Sequence, residues 1–343
     1  MYDYIIVTHI PVFYKINLYN ELAKKMNILV IFIASNTNET RAGDFIKLSD
    51  SKFQYKLLYD GNIQDRGIFH NIISLKKILS HIRYRKLIVG GWDLAEYWFL
   101  IWKNYKSKNC LILESTVNES RVDGVKGFMK KIFLNRISIV FASGNLHKKL
   151  LDALNYKGEV RITKGVGIIN KPEMNLMTRK YDKRFLFIGR LAKEKNVEML
   201  VDLFNELDEH KLAIIGTGPL ETILKSKAKE NITFKGQIEN QYLQKCFETN
   251  DVLILTSIAE PWGLVIEEAL YFGIPVMISS NCGASVLINE GVNGYIVNLN
   301  NIKAIKDTII NLDDEVYTKL LAGVRQFSIN NKDIEQLGAY FAK

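Results

Sequence analysis

The segment Val252–Pro275 reads VLILTSIAEPWGLVIEEALYFGIP and combines a buried strand, a turn and a helix. Its first four residues are all aliphatic, which is typical of a strand that is covered on both faces of a parallel sheet. Polar residues and Gly263 follow, and the next apolar run has the length and spacing of a helix. A strand that leads directly into a helix predicts a doubly wound parallel sheet.

The same alternation of strands and helices extends through the 343 residues. In the second half, short aliphatic runs predict strands at Phe185–Ile188, Leu212–Ile215, Ile232–Lys235, Val252–Leu255, Pro275–Ile278 and Tyr295–Val297. In the first half, similar runs predict strands at Tyr4–Val7, Ile28–Ala34, Leu87–Val89, Leu111–Leu113 and Ile137–Ala142. We expect an α/β protein with two Rossmann-like, doubly wound parallel-sheet domains that face a cleft.

A polar segment that contains two glycines and a proline interrupts the alternation and predicts a linker. A chain of 343 residues is also longer than one hydrophobic core usually supports. We predict an N-terminal Rossmann-like domain at residues 1–163, a linker at 164–183 and a C-terminal Rossmann-like domain at 184–325. Residues 326–343 are expected to form a C-terminal helix that packs back on the N-terminal domain.

The basic character of the chain lies in its first half. Residues 1–163 carry 25 Lys and Arg against 14 Asp and Glu, whereas residues 164–343 carry 21 against 23. This asymmetry indicates an anionic partner for the first half, either nucleic acid or lipid headgroups. No recognition helix or aromatic-rich RNA motif is visible, so nucleic acid is not an expected partner.

The cysteines and the N-terminus exclude several classes of protein. The three cysteines are far apart and fit neither a disulfide framework nor the ligand spacing of a zinc site. The first residues lack a basic leader, and no apolar stretch reaches the roughly 18 residues that a membrane span needs. We therefore expect a cytoplasmic protein with buried thiols and without a metal site.

Two glycine-containing turns in the second half suit a phosphate ligand. Gly189, Arg190 and Lys195 follow a predicted strand, and we expect Lys195 to open the next helix. Cations at a helix N-terminus stabilise a diphosphate without a bridging metal. Gly216 and Gly218 follow the next strand, but the third glycine of a dinucleotide fingerprint is absent, which disfavours an NAD enzyme. Solvated cations and ordinary chain reversals remain the alternatives for each turn taken alone.

Two carboxylates in the quoted segment can flank one bound molecule. Glu260 lies beyond the end of a strand, and Glu268 follows on the helix that begins near Gly263. Backbone amides at the start of this helix are expected to face the same ligand, at Gly263, Leu264 and Val265. Glu267 is expected to be a solvated residue that complements the helix dipole.

Taken in order, these motifs resemble the retaining glycosyltransferases of family 4, which have the GT-B fold and a Glu-x7-Glu signature. The resemblance covers about residues 184–298. It implies that Arg190 and Lys195 hold the diphosphate of a nucleoside diphosphate sugar, that Glu260 binds the sugar hydroxyls and that Glu268 binds the ribose. Glu260, Arg190 and Lys195 would be the catalytic residues. The sugar would pass with retention to a hydroxyl of a glycan or lipid-linked acceptor, and a UDP-sugar is slightly favoured as donor.

No Asp-x-Asp motif occurs in the chain, so we expect neither a metal nor another cofactor. Two alternatives on the same fold are a nucleotide-sugar epimerase and a sugar phosphorylase, which would use a similar phosphate site. The alternative from another class is a nucleic-acid-binding protein that uses the basic first half.

The first half resembles the family less closely. His9 and Tyr14 lie in a bulky first loop that replaces the family's usual glycine-rich loop, although Pro-x-x-Tyr followed by Leu-Tyr-Asn-Glu-Leu is similar to polysaccharide-assembly members. Glu114 stands where many members have a histidine, and a structural carboxylate is its alternative role. We take His9, Tyr14 and Glu114 as acceptor-side candidates in the synthesis of a cell-surface polysaccharide such as lipopolysaccharide or capsule.

A basic amphipathic segment suggests that the first half docks on an anionic membrane surface, peripherally at the inner face of the cell membrane. Its cations are Arg121, Lys126, Lys130, Lys131 and Arg136, and its apolar residues at helical spacing are Phe128, Met129, Ile132 and Phe133. The alternative is a helix that buries its aromatic side in the domain core.

Overall fold

The computed structural model describes residues 1–39, 43–173 and 179–341. The chain divides into two compact units, each with its own parallel sheet. The first unit comprises Met1–Asn170 and Asp333–Lys343, and the second comprises Lys171–Lys332. Within the described ranges, no helix combines the length and the apolarity needed to cross a bilayer.

The first unit is built on a seven-stranded sheet. Its strands are β1 (Tyr2–Thr8), β2 (Ile28–Phe32), β3 (Gln54–Leu57), β4 (Tyr84–Val89), β5 (Asn109–Leu113), β6 (Ile139–Ala142) and β7 (Glu159–Ile162). The helices between them are α1 (Phe13–Ala23), α2 (Ile68–Ser80), α3 (Ala95–Lys103), α4 (Gly124–Leu134) and α5 (Asn145–Ala153). All neighbouring strands run parallel, in the order β3-β2-β1-β4-β5-β6-β7.

Helices cover both faces of this sheet because its central strands are apolar on both sides. The first unit has one hydrophobic core on each face of its sheet, and alternate residues of β1 point into the two cores. Ile5 belongs to the core that contains residues of α2 to α5, whereas Ile6 belongs to the core that contains α1. The C-terminal helix α12 (Ile329–Phe341) contributes to the core on the α1 face of the sheet. There, the ring of Tyr340 stacks on that of Phe141 with centroids 4.5 Å apart. The part of α12 around Tyr340 therefore belongs to the first unit's core.

The second unit is built on a six-stranded parallel sheet. Its strands are β8 (Arg184–Ile188), β9 (Lys211–Ile215), β10 (Ile232–Phe234), β11 (Val252–Leu255), β12 (Val276–Ser279) and β13 (Gly294–Val297). Its helices are α6 (Val197–Phe204), α7 (Glu221–Lys227), α8 (Leu243–Glu248), α9 (Leu264–Tyr271), α10 (Ile302–Ile310) and α11 (Asp314–Gln326). The strand order is β10-β9-β8-β11-β12-β13.

Each sheet reverses its strand order once, between β1 and β4 in the first unit and between β8 and β11 in the second. At such a reversal, the helices that follow the two central strands lie on opposite faces, so a crevice opens at the carboxyl ends of these strands. The loops that follow β1, β4, β8 and β11 therefore hold the residues that can reach a ligand.

Two details differ from the sequence prediction. The first sheet has seven strands rather than the five predicted. The edge strands β3 and β7 were not predicted because none of their residues is fully buried and no apolar run marks them. Lys195 does not open a helix: it ends a short 3-10 turn, and α6 begins at Val197. The break is at Asn196, whose left-handed backbone (φ 54°) cannot continue the turn and suits asparagine.

Candidate functional site

The loop after β8 is held close to the loop after β9. The amide of Leu191 donates to the carbonyl of Thr217 at 2.9 Å, and the amide of Leu220 donates to the carbonyl of Leu191 at 3.0 Å. Gly216 has a φ of 131°, and a Cβ there would lie 1.9 Å from the carbonyl oxygen of Gly189. Only glycine fits this approach, so the two predicted glycine turns form one surface.

The two cations after β8 each contact a carboxylate. The Arg190 guanidinium donates to Glu194, and both side chains are substantially exposed. The Lys195 ammonium contacts the carboxylate of Glu260, with 19% and 11% of the two side chains exposed. The hydroxyl of Ser257 lies 3.5 Å from the same carboxylate oxygen of Glu260. The structure thus brings together the predicted residues Lys195 and Glu260 across the reversal between β8 and β11.

The backbone around Glu260 is fixed by the turn that follows β12. The amide of Gly283 donates to the carbonyl of Glu260 at 2.9 Å, and the amide of Ala284 donates to the carbonyl of Trp262 at 3.0 Å. Burial raises the pKa of the neighbouring Cys282 thiol, which keeps that thiol neutral. Two backbone hydrogen bonds therefore tie the Glu260 loop to the turn after β12.

Helix α9 begins directly beside Glu260. Gly263 is its N-cap with a φ of 92°, and Leu264 and Val265 form the first turn. The amides of a first helical turn have no partner within the helix and carry the positive end of its dipole. The Lys195 ammonium and the positive end of the α9 dipole thus lie at one crevice, and a diphosphate is a ligand that this combination suits.

Adjacent glutamates on α9 have different surroundings. Glu268 is 5% exposed, and its carboxylate accepts a hydrogen bond from the side-chain amide of Asn240 at 2.9 Å. The expectation that Glu267 is solvated was wrong, because this residue is fully buried. Its carboxylate accepts the indole N–H of Trp262 and lies 2.6 Å from the Lys332 ammonium. Burial of its charge is possible because both oxygens have partners.

The first unit has a pocket of about 380 Å³ at the carboxyl ends of its central strands. His9 follows β1 and lines this pocket; its Nε2 lies 2.8 Å from the Asp93 carboxylate, and its Nδ1 lies 3.1 Å from the hydroxyl of Tyr97. Burial raises the pKa of Asp93, but the hydrogen bond and charge of His9 lower it, and the net pKa lies below the usual range. Asp93 therefore stays ionised at neutral pH beside the imidazole.

The other two acceptor-side candidates line the same pocket. The Glu114 carboxylate pairs with the buried Lys15 ammonium at 2.8 Å, and Tyr14 lies on the same helix, α1. Burial lowers the pKa of Lys15, but Glu114 and nearby tyrosines raise it above its usual range. The structure thus brings His9, Tyr14 and Glu114 together.

Sequence reasoning missed Lys15, Asp93, Tyr97 and Lys332. Asp93 had a usable signal, because Gly90 and Gly91 directly follow a predicted strand and such a turn commonly lines a ligand site. Lys15 and Lys332 had none, since each pairs with a carboxylate that lies far away in sequence.

Comparison with solved structures identifies the fold. HepE of Anabaena, solved in complex with UDP and glucose, superposes with a TM-score of 0.72 over all of both chains at 13% identity. The two parallel Rossmann-like sheets of this chain are those of the GT-B fold, as the sequence analysis predicted.

Residues 175–319 match the family described as Glycosyl transferases group 1, so the second unit carries a domain of this kind. An uncharacterized glycosyltransferase of Methanocaldococcus jannaschii is 32% identical over 163 residues, which are 45% of this chain and 40% of that protein. The chain thus spans less than half the length of this relative. The O-antigen biosynthesis glycosyltransferase WbnH of Escherichia coli is 26% identical over 67% of this chain and 68% of its own length.

Proposed function

We propose that this protein is a retaining glycosyltransferase of family 4 that moves a sugar from a nucleoside diphosphate sugar to a hydroxyl of a glycan or lipid-linked acceptor. The observation that carries this proposal is the crevice between β8 and β11, where Lys195, Glu260 and the start of α9 converge. The group 1 domain and the O-antigen relative support a role in cell-surface polysaccharide synthesis. The UDP in the HepE structure supports a UDP-sugar as donor.

Donor binding would use the charges of the crevice in three ways. Arg190 and Lys195 would hold the diphosphate together with the amides of Leu264 and Val265, because two cationic side chains and the positive end of a helix dipole all attract phosphate oxygens. Glu260 would accept hydrogen bonds from the sugar hydroxyls. Glu268, which lies one turn further along α9, would bind the ribose hydroxyls.

In the transfer step, the bond from the anomeric carbon to the diphosphate oxygen breaks and a bond from the acceptor oxygen to that carbon forms on the same face. The proton of the acceptor hydroxyl passes to the departing phosphate oxygen, which balances the reaction. Negative charge grows on the diphosphate during this step. The cations Arg190 and Lys195 and the α9 amides would stabilise that charge, since they are already oriented before the reaction.

We propose that these cations replace a divalent metal, and that the nucleotide sugar is a substrate and no other cofactor takes part. Among the described residues, no group of three or more His, Cys, Asp or Glu side chains is arranged to hold a metal ion. In this proposal, the charges of Arg190 and Lys195 and the amides of α9 take the place of the metal.

Replacing Lys195 with alanine should weaken binding of the nucleoside diphosphate by about 10- to 150-fold, because one charge-assisted contact contributes about 1.5 to 3 kcal/mol. The matched control is Lys193→Ala, which removes an exposed lysine two positions earlier and should leave the affinity unchanged. Calorimetric titration with UDP measures both. Equal affinities in wild type and Lys195→Ala would remove Lys195 from the donor site.

We further propose that the pocket of the first unit holds the acceptor. Lys15 pairs with Glu114, and the His9 imidazole lies against the Asp93 carboxylate. Arg66 and Glu39 add one charge of each sign to the lining. The pocket therefore offers hydrogen-bonding groups without a strong field of one sign. Apolar side chains also line it, among them Phe45 and Leu94. This combination suits a sugar ring, whose hydroxyls need hydrogen bonds and whose C–H face packs on apolar groups.

Replacing His9 with alanine should lower transfer to an acceptor on the order of 10²-fold, because an acceptor hydroxyl would lose its orientation. Donor binding should not change. The assay is transfer of labelled sugar to a glycolipid extract from the source cells, with UDP titration in parallel. His81→Ala, which removes an exposed histidine after α2, is the control. Unchanged transfer in His9→Ala would remove the pocket from the acceptor site.

We also propose that α4 docks the first unit on an anionic membrane face. The helix buries Phe133 but exposes Val125, Phe128 and Met129, so only part of its apolar surface is in the core. On the same helix layer, α2 exposes Phe69 and α3 exposes Trp102. Lysines beside exposed apolar groups suit the interface of a bilayer, where each cation contributes about 1 kcal/mol.

Charge reversal at Lys126 and Lys131 should reduce binding to phosphatidylserine-containing vesicles, and added salt should reduce wild-type binding. Lys130 is left intact because it donates to Ser120 at 2.6 Å and to the Arg121 carbonyl at 2.8 Å. The control reverses the exposed Lys24 and Lys25 at the end of α1, which packs on the other face of the sheet. Co-sedimentation measures binding, and equal recovery with neutral and anionic vesicles would contradict docking through α4.

A further inference from the structure

A buried ion pair lies beneath the start of α9. The Lys332 ammonium is 2.6 Å from the Glu267 carboxylate, and the two side chains are 3% and 0% exposed. Lys332 belongs to the first turn of α12 and is the last residue of the second unit. Glu267 also accepts the indole N–H of Trp262, which is itself buried. Three side chains from two distant parts of the sequence therefore form one buried network.

The two charges of this network are costly to bury. Two opposite charges lose their hydration when they are buried, and apolar residues of similar volume often replace such a pair without loss of stability. Removal of one partner leaves the other charge without compensation. The effect of the pair is therefore on geometry. The contact restricts the positions that the Lys332 and Glu267 side chains can take.

The buried pair constrains two groups that lie next to the crevice, Glu268 and the loop that begins at Glu260. Successive residues of a helix point about 100° apart, so a fixed direction for Glu267 also fixes the direction in which Glu268 points. The indole of Trp262 ties the same carboxylate to the loop that begins at Glu260. Glu267 thus sets the rotation of α9 on one side and the path of the Glu260 loop on the other.

We propose that Lys332 is a positioning residue for donor binding. Through Glu267 and Trp262 it holds the start of α9, and with it the carboxylates of Glu260 and Glu268, in the orientation that receives the nucleotide. This inference rests on the donor site proposed above and adds a residue from the C-terminal helix to it.

The test compares three variants by calorimetric titration with UDP at a temperature where each is folded. Lys332→Met removes the positive charge beside the Glu267 carboxylate and the contact that holds it, and should weaken UDP binding by about tenfold or more. The double variant Glu267→Gln/Lys332→Met removes both charges and keeps an acceptor for Trp262, but it lacks the contact that holds α9, so it should still bind UDP at least about fivefold more weakly than wild type. Wild-type affinity in this variant would mean that Lys332 only compensates the charge of Glu267, and would overturn the inference. Lys306→Met breaks a solvent-accessible pair with Glu206 in the same unit and should bind UDP like wild type.

A purely structural role would lower the melting temperature of Lys332→Met without changing its UDP affinity, and that result would overturn the inference. If Lys332→Met does not fold, Glu267→Ala/Lys332→Ala replaces it, because it leaves neither charge unpaired but removes the acceptor of Trp262. Wild-type affinity in this variant would also overturn the inference. Absence of nucleotide binding in wild type would instead overturn the proposed donor site, and this inference with it.

Discussion

The contact between Lys195 and Glu260 joins the two loops that diverge where the second sheet reverses its strand order. The topology brings these loops together, because residues that follow parallel strands all lie at the carboxyl edge of the sheet. The reversal of strand order opens a crevice at that edge. The glycine at position 216 lets the neighbouring loop approach, and the start of α9 adds backbone amides. The Lys195 ammonium and the backbone amides of α9, which are distant in sequence, are thus brought to one crevice.

In the first unit, the reversal of strand order also brings two loops together, but the residues in these loops differ chemically from those in the second unit. His9 follows β1 and Asp93 follows β4, and these strands are neighbours at the reversal. Here the meeting residues are an imidazole and a carboxylate, and both ring nitrogens have partners. The second crevice suits phosphate oxygens, whereas the first offers fixed hydrogen bonds in a pocket without a strong excess of either charge. This difference is the basis for assigning donor and acceptor to different units.

The sequence predicts most of what depends on local patterns. The central strands are aliphatic runs, and the glycines, cations and carboxylates of the second unit lie at fixed positions after them, so fold and donor-site candidates are readable. The edge strands β3 and β7 are not readable, because neither contains a fully buried residue or an apolar run. Glu267 was misjudged since its partner, Lys332, is distant in sequence, and only the fold brings them together. Pairings of that kind leave no periodic signal.

The most direct test of the account is a titration of the wild-type protein with UDP, GDP and TDP and their sugars in excess EDTA, repeated for Glu268→Gln. The account predicts one binding site for a nucleoside diphosphate, no need for a divalent metal, and an affinity at least about tenfold weaker in the variant, which corresponds to about 1.4 kcal/mol. No binding of any of these nucleotides to wild type, or binding that requires a metal and ignores Glu268, would contradict the claim that the β8–β11 crevice is a metal-independent donor site.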